Sequence, residues 1–253
     1  MFASSTSGDQ DLLGKLFPNK QQDLHGQDVA GAVQALIDSD CVCFDVDSTV
    51  IDEEGIDVLA DYLGKGEEVA ALTKQAMEGG MKFQDALAAR LSLLKPSKSQ
   101  ILACLKDRPL KLTPGCQDLV QSLIAHKKDV WLVSGGFRIM IEPVAEILNI
   151  SKDQIVANTI LFDDAGSYKD FDSSEPTSQD MGKPAALTQI KALRGYKNMV
   201  MIGDGFTDSQ AKPPAAAFIG FGGIAVREKV KNVADWFVTN FEDLQTVVDQ
   251  SDK

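Results

Sequence analysis

The stretch that decides the fold runs from residue 41 to residue 49 and reads CVCFDVDST. Its first four residues are apolar without alternation and stop abruptly at Asp45, which is typical of a strand buried on both faces of a parallel sheet. The same change recurs in two later stretches, VWLVSGG at 130–136 and MVMIGDG at 199–205. A helix-like pattern follows each of them. The sequence therefore predicts the α/β class, with βαβ units that build a Rossmann-like parallel sheet.

Acidic residues stand where two of these predicted strands end, and ligands bind beyond that edge of an open parallel sheet. Asp45 and Asp47 follow the first strand, while Asp204 and Asp208 follow the third. Two carboxylates about 4 Å apart repel by about 4 kcal/mol at an effective dielectric constant of about 20, so such a cluster needs a cation or a proton. Oxygen ligands with room for water favour Mg²⁺. The alternative interpretation is that Asp47 only caps a helix.

The second strand end and a later lysine predict a phosphate site. Ser134-Gly135-Gly136 places a hydroxyl and unencumbered backbone N–H groups at the start of a predicted helix, where anions bind readily. Lys183 comes just before another predicted helix, and the helix macrodipole disfavours a cation there unless an anion is bound. Taken alone, the first feature could be a simple turn and the second a solvated surface lysine.

Residues 57–108 carry helical periodicity and no apolar strand, so they predict a helical insert after the first strand. Phe83 and Arg90 share the apolar stripe of one of its helices. If the insert folds over the strand ends, Arg90 would pair with a substrate carboxylate. Glu54 would then bind an ammonium group, and Met77 would supply an apolar wall. Otherwise Arg90 would extend its charged end into solvent.

The expected domains are a polar N-terminal lead-in at 1–26, a core formed by 27–56 and 109–253, and a helical cap at 57–108. The lead-in has room for one short helix. Residues 155–172 predict a β-hairpin flap.

The amino-acid composition limits which partners and which cellular compartment are expected for the protein. A formal net charge of −12 and a pI near 4.6 argue against nucleic acid and anionic membranes as partners. An anionic small molecule would need a local cation at its site. No stretch approaches the roughly 20 apolar residues of a membrane helix, and the first residues fit no secretory or transit signal. The 4 cysteines lack metal-ligand spacing, and reduced thiols suit the cytoplasm.

The ordered motifs resemble those of the haloacid dehalogenase superfamily. They are DVDST at 45–49, SGG at 134–136, Lys183, and GDGFTD at 203–208. The set of Glu54, Met77, Phe83 and Arg90 narrows the resemblance to the phosphoserine phosphatase family, over roughly residues 30 to 245. Glu78 departs from it, because that family's pattern has glycine after the methionine.

This resemblance implies a haloacid dehalogenase-like core with a helical-bundle cap, and the Mg²⁺-dependent hydrolysis of O-phospho-L-serine, the last step of L-serine biosynthesis. Asp45 would be the nucleophile that forms an aspartyl phosphate, and Asp47 the general acid and base. The metal would be held by Asp45, the Asp47 backbone carbonyl and Asp204. The substrate would be bound by Glu54, Met77, Phe83, Arg90, Ser134, Gly135, Gly136, Lys183 and Thr207, with Asp208 in support.

Two other functions stay open on the sequence alone. A phosphatase or mutase for another small phosphometabolite would share the motifs, although a sugar phosphate would not need Glu54 and Arg90. A phosphoacceptor receiver module also combines Asp, Ser or Thr, and Lys. Its acceptor follows the third strand, however, and it lacks a second acid two residues on. The expected partner is the small-molecule substrate, a homodimer stays open, and the expected location is the cytoplasm.

Overall fold

The computed structural model describes residues 7–76 and 81–250. Its strands, in chain order, are β1 (Cys41–Phe44), β2 (Asp129–Phe137), β3 (Ile155–Asn158), β4 (Ile160–Phe162), β5 (Tyr168–Phe171), β6 (Met199–Gly203), β7 (Ala217–Phe221) and β8 (Trp236–Val238). Six of them form one parallel sheet in the order β3-β2-β1-β6-β7-β8. The predicted α/β fold with a Rossmann-like sheet is confirmed.

Strand β1 lies inside the sheet, between β2 and β6. Cys43 is in register with Trp131 on one side and with Met201 on the other. Successive side chains of a strand point to opposite faces. Val42 and Phe44 accordingly pack into one hydrophobic core, whereas Cys41 and Cys43 pack into a second one on the other face. Because both faces are covered, all four residues of β1 are buried and apolar.

The helices, in chain order, are α1 (Ser7–Leu16), α2 (Val29–Ile37), α3 (Gly55–Tyr62), α4 (Gly66–Gln75), α5 (Phe83–Leu94), α6 (Lys98–Asp107), α7 (Cys116–Ala125), α8 (Arg138–Ile147), α9 (Gly182–Arg194), α10 (Phe206–Ser209), α11 (Glu228–Lys231) and α12 (Glu242–Gln250). Helices α2, α7, α8 and α12 contribute to the core on one face of the sheet, and α9 packs on the other. Among the described residues, the helices are too short or too polar to cross a membrane.

Helices α3 to α6 form the insert between β1 and β2. The two connections to the core run side by side, because Ile51 pairs with Leu112 and the Asp52 N–H donates to the Lys111 carbonyl at 3.1 Å. Within the insert, Ser97 caps α6 and forms a capping box with Gln100, which stabilises that helix start. The division of the chain into a core and a cap at the stated residues stays a prediction.

The structure differs from the sequence-based expectations in two segments. Ile155–Asn158 forms an edge strand of the main sheet, so the hairpin consists of β4 and β5 only. Strand β2 continues through Phe137, so Ser134, Gly135 and Gly136 end a strand instead of starting a helix. In both cases the pairing between β2 and β3, which the local residue pattern does not reveal, decides the bounds of the strands: Val133 pairs with Val156 and Phe137 with Asn158.

Helix α9 offers a matched test of the core packing. Leu187 on this helix is fully buried, whereas Leu193 is 74% exposed. Removing a buried leucine loses apolar contact and leaves a cavity, which typically costs about 2–5 kcal/mol. We expect Leu187→Ala to lower the free energy of unfolding by about 3 kcal/mol and Leu193→Ala by less than about 0.5 kcal/mol, measured by urea unfolding. Equal losses would contradict the placement of α9 against the sheet.

Candidate active site

The first strand ends in a tight turn that fixes Asp45 at the edge of the sheet. The Asp45 carboxylate is buried and accepts a hydrogen bond from the Val46 N–H at 2.8 Å. The chain then doubles back, with Ser48 in the left-handed region at φ 54° and the Ile51 N–H donating to the Val46 carbonyl at 3.0 Å. Such strained, hydrogen-bonded turns are common at functional sites. The turn leaves Asp45 held by its own neighbours at the carboxyl end of β1.

The Asp47 carboxylate faces the insert and lies close to the end of β2. It accepts a hydrogen bond from the N–H of Gly55, the first residue of α3, at 2.7 Å. A Cβ atom added to Gly136 would lie 2.8 Å from Asp47 Oδ2, so the glycine permits this approach. Burial, and then the charges of Glu54 and Asp45, raise the pKa of Asp47 to about 8. A carboxyl group with such a pKa keeps its proton near neutral pH and can donate it.

Lys183 joins the first and third strand ends. Its buried ammonium group forms an ion pair with Asp45 at 2.8 Å and another with Asp208. Burial alone would lower the pKa of Lys183, but the charges of Asp208 and Asp45 outweigh it and raise that pKa above its ordinary value. The lysine therefore stays charged, although it lies at the N-terminus of α9.

Three buried carboxylates converge beside this lysine. Asp45, Asp204 and Asp208 each offer an oxygen atom within 4.8 Å of the other two. Burial and the charge of Asp45 raise the pKa values of Asp208 and Asp204, while the charges of Lys183 and Arg227 act in the opposite direction. A bound divalent cation would relieve this repulsion, and a cluster of carboxylate oxygens fits Mg²⁺. The more detailed ligand set, with the Asp47 backbone carbonyl in place of Asp208, stays a prediction.

Arg227 contacts this cluster and was missed by the sequence reasoning. Its Nε and Nη2 atoms each lie 2.8 Å from Asp204 Oδ2, and Nη2 lies 3.7 Å from Glu54 Oε1. Arg227 lies in the loop that follows β7, the strand next to β6 in the sheet, and no recognisable motif marks this loop. The signal that could have found it is its position: it is a basic residue in the loop after a fully buried strand.

The end of β2 forms a small cradle of polar groups. Ser134 is fully buried, and its Oγ accepts a hydrogen bond from the Gly136 N–H at 2.9 Å. The Gly135 carbonyl is held by Asn158 Nδ2 at 2.8 Å, and Thr177 donates to Asn158 Oδ1 at 2.9 Å. Asn158 ends strand β3 and was also missed, although it follows an apolar run just as Asp45 does.

A cavity of about 850 Å³ connects these strand ends to the insert. Besides the unpredicted Arg227, its lining includes these predicted residues: Asp45, Asp47, Glu54, Phe83, Arg90, Gly135, Gly136, Lys183, Asp204 and Thr207. Ser134 and Asp208 lie behind its wall, where they contact Gly136 and Lys183. Met77, and Glu78 beside it, lie outside the described residues.

The insert supplies an arginine and an aromatic ring to this cavity, and Glu54, just before the first helix of the insert, supplies an acid. Arg90 is half-buried, its Nε donates to the Ala86 carbonyl at 3.2 Å, and burial lowers its pKa against the raising charges of nearby acids. Glu54 accepts a hydrogen bond from Ser48 Oγ at 2.7 Å. A Cβ atom on Gly135 would lie 2.9 Å from Phe83 Cζ, so the Phe83 ring packs directly on the β2 end. The cavity therefore has a floor of buried acids with one buried lysine, and a mixed-charge roof.

Comparisons with known proteins agree with this arrangement. The haloacid dehalogenase-like hydrolase family matches residues 39–211. A chloroplastic phosphoserine phosphatase of Arabidopsis thaliana is 50% identical over 212 residues, covering 83% of this chain and 72% of the relative. The phosphoserine phosphatase of Bos taurus is 46% identical over 206 residues, covering 81% of this chain and 92% of the relative.

Solved structures agree as well. A substrate-bound phosphoserine phosphatase complex superposes with a TM-score of 0.67 at 29% identity, covering 79% of this chain and 92% of that one. The predicted resemblance is thus confirmed by sequence and by structure, and the matches span both the strand ends and the insert. The chain belongs to the phosphoserine phosphatase family of haloacid dehalogenase-like hydrolases.

Proposed function

We propose that the protein hydrolyses O-phospho-L-serine to L-serine and phosphate, as the last step of L-serine biosynthesis, with Mg²⁺ as its cofactor. The observation that carries this proposal is the pairing within one cavity of a phosphate-binding floor, where Lys183 bridges Asp45 and Asp208, with a roof that carries Arg90 and Glu54. The floor suits a phosphoryl group, and the roof suits the charged ends of an amino acid.

In the first half of the reaction, an oxygen of Asp45 attacks phosphorus and the bond from phosphorus to the serine oxygen breaks. Asp47 donates its proton to that leaving oxygen, which its pKa of about 8 permits. Lys183 offsets negative charge on the transferring group. Ser134 Oγ already accepts from the Gly136 N–H, so its own proton can point to a phosphoryl oxygen. The product of this half is an aspartyl phosphate on Asp45.

In the second half, Asp47 acts as a base because it has given up its proton. It takes a proton from water, the water oxygen attacks phosphorus, and the bond to Asp45 breaks. Phosphate leaves and the Asp45 carboxylate is restored. Mg²⁺, held by Asp45, Asp204 and the Asp47 backbone carbonyl, would supply further charge neutralisation on the phosphoryl oxygens.

The serine end of the substrate is assigned to the insert and to Glu54, which directly precedes it. Arg90 would bind the carboxylate through its guanidinium group, and Glu54 would accept a hydrogen bond from the ammonium group. Phe83 would close the apolar side of the cavity, with Met77 as its predicted partner. A cytoplasmic location is part of the proposal. A homodimer stays open, and sedimentation of the purified chain would decide between a monomer and a dimer.

The nucleophile can be tested by an isosteric change. Asp45→Asn replaces the attacking oxygen by an amide that cannot form an aspartyl phosphate, so we expect kcat for O-phospho-L-serine to fall by at least about a thousandfold. Phosphate release in the presence of Mg²⁺ is the measurement. Asp52→Asn makes the same change at an exposed position a few residues away and should retain activity. Substantial turnover by Asp45→Asn would refute the assignment.

Metal binding can be measured without activity. After treatment with a chelator, added Mg²⁺ should raise the midpoint of thermal unfolding, because a ligand that binds only the folded state stabilises it. In Asp204→Asn one ligand is lost, and we expect the Mg²⁺ concentration needed for half of this shift to rise at least about tenfold. Asp52→Asn again serves as the control. If Asp204→Asn responded to Mg²⁺ like the unaltered chain, Asp204 would not be a ligand.

Substrate identity can be tested with a matched pair of compounds. O-Phosphoethanolamine lacks only the carboxylate of O-phospho-L-serine, so it cannot use the pairing proposed for Arg90. We expect Arg90→Ala to lower kcat/KM for O-phospho-L-serine about 30- to 150-fold, as expected for a lost charge-assisted hydrogen bond of about 2–3 kcal/mol, and to change kcat/KM for O-phosphoethanolamine by less than about threefold.

The exposed Arg108 at the end of α6 provides the control variant Arg108→Ala. If Arg90→Ala lowered kcat/KM equally for both compounds, Arg90 would not bind the substrate carboxylate. A panel of other phosphometabolites then decides whether a different phosphate ester is the better substrate, which is the alternative function for this scaffold.

A further inference from the structure

Helix α5 carries Phe83 and Arg90 but has no capping side chain at its own N-terminus. Its N-cap residue is Lys82, which makes no side-chain cap hydrogen bond. A lysine has no acceptor to offer, so the first N–H groups of the helix need a partner from elsewhere. Helix α6 differs in this respect, because its own N-cap residue Ser97 caps it. Helix α3 resembles α5: its N-cap residue Glu54 makes no side-chain cap hydrogen bond, and the acceptor for its first N–H is the Asp47 carboxylate.

The missing acceptor comes from the core. Asp180 Oδ1 accepts a hydrogen bond from the N–H of Phe83, the first residue of α5, at 3.0 Å, across 97 residues of sequence. The Asp180 carboxylate also places a negative charge at the positive end of the helix macrodipole. Asp180 therefore caps the N-terminus of α5 as an N-cap aspartate would, although Asp180 lies in the loop before α9 and not next to α5 in the sequence.

The position of Asp180 links the two halves of the cavity. Asp180 lines the cavity and lies three residues before Lys183, which binds Asp45 and Asp208. At the other end of the hydrogen bond, Phe83 packs on Gly135, and Arg90 lies two turns further along the same helix. The short core segment 180–183 thus contacts both sides of the cavity. Lys183 binds Asp45 and Asp208 on the floor, and Asp180 binds the first N–H of α5, the helix that carries Phe83 and Arg90.

We propose that Asp180 is a positioning residue, which caps α5 from the core and so sets the place of Phe83 and Arg90 over the strand ends. It touches neither the phosphoryl group nor the serine directly and acts through the helix. This inference rests on the proposed function only for the substrate used in its kinetic test, since the capping contact itself can be observed without any substrate.

The test compares Asp180→Ala with Asp180→Asn. Asparagine caps helices about as well as aspartate, whereas alanine offers no acceptor. Loss of a cap typically weakens a helix start by a factor of about three to ten. We expect Asp180→Ala to speed hydrogen exchange of segment 83–90 and to lower kcat/KM for O-phospho-L-serine by that factor, mainly through a higher KM. Asp180→Asn should restore both towards the values of the unaltered chain.

Asp164→Ala, which removes an exposed acid in the turn between β4 and β5, is the matched control and should change neither quantity. If Asp180→Asn were as impaired as Asp180→Ala, the charge rather than the capping bond would matter and the proposal would fail. Unchanged or slower exchange in Asp180→Ala would also overturn it. If the unaltered chain did not hydrolyse O-phospho-L-serine, the proposed function would fail instead, and the exchange data would still decide the role of Asp180.

Discussion

The arrangement depends on buried negative charge at one edge of a parallel sheet. Asp45, Asp204 and Asp208 lie within reach of a single cation, and burial raises the pKa of the latter two. Such a cluster is stable only with compensating positive charge, which the buried Lys183 supplies from one side and Arg227 from another. The same electrostatic demand, which two basic side chains meet in part, is the reason that Mg²⁺ and a phosphoryl group are proposed to bind here.

The sheet brings these groups together without a long loop. Because β1 is paired on both sides, the residues that follow β1, β2 and β6 emerge next to each other, although they are separated by about ninety and seventy residues. Close approach then requires small residues. Gly136 admits the Asp47 carboxylate, and Gly135 admits the Phe83 ring, so a side chain at either position would displace a residue assigned to the reaction or to the substrate.

These features explain which parts could be predicted from the sequence. Asp45, Ser134 and Asp204 follow unbroken apolar runs, so their placement needs only the rule that parallel strands end at the same edge. Arg227 and Asp180 have no comparable local pattern, because their roles come from contacts across 23 and 97 residues of sequence. Asn158 also follows an apolar run, but its role comes from its hydrogen bond to the Gly135 carbonyl, 23 residues away. The hairpin was predicted too long for a related reason, since membership of the sheet is decided by pairing with β2 and not by the local turn residues.

The N-termini of the insert helices connect the chemistry to the position of the insert. The first residues of α3, α5 and α6 donate their N–H groups to Asp47, to Asp180 and to the Gly166 carbonyl of the hairpin turn, at 2.7, 3.0 and 2.9 Å. All three acceptors lie outside the helices they serve. A displacement of the insert would break all three bonds, and one of them holds the proposed general acid. The start of α3 and the carboxylate of Asp47 therefore hold each other in place, so the position of the insert and the orientation of the proposed general acid depend on one contact.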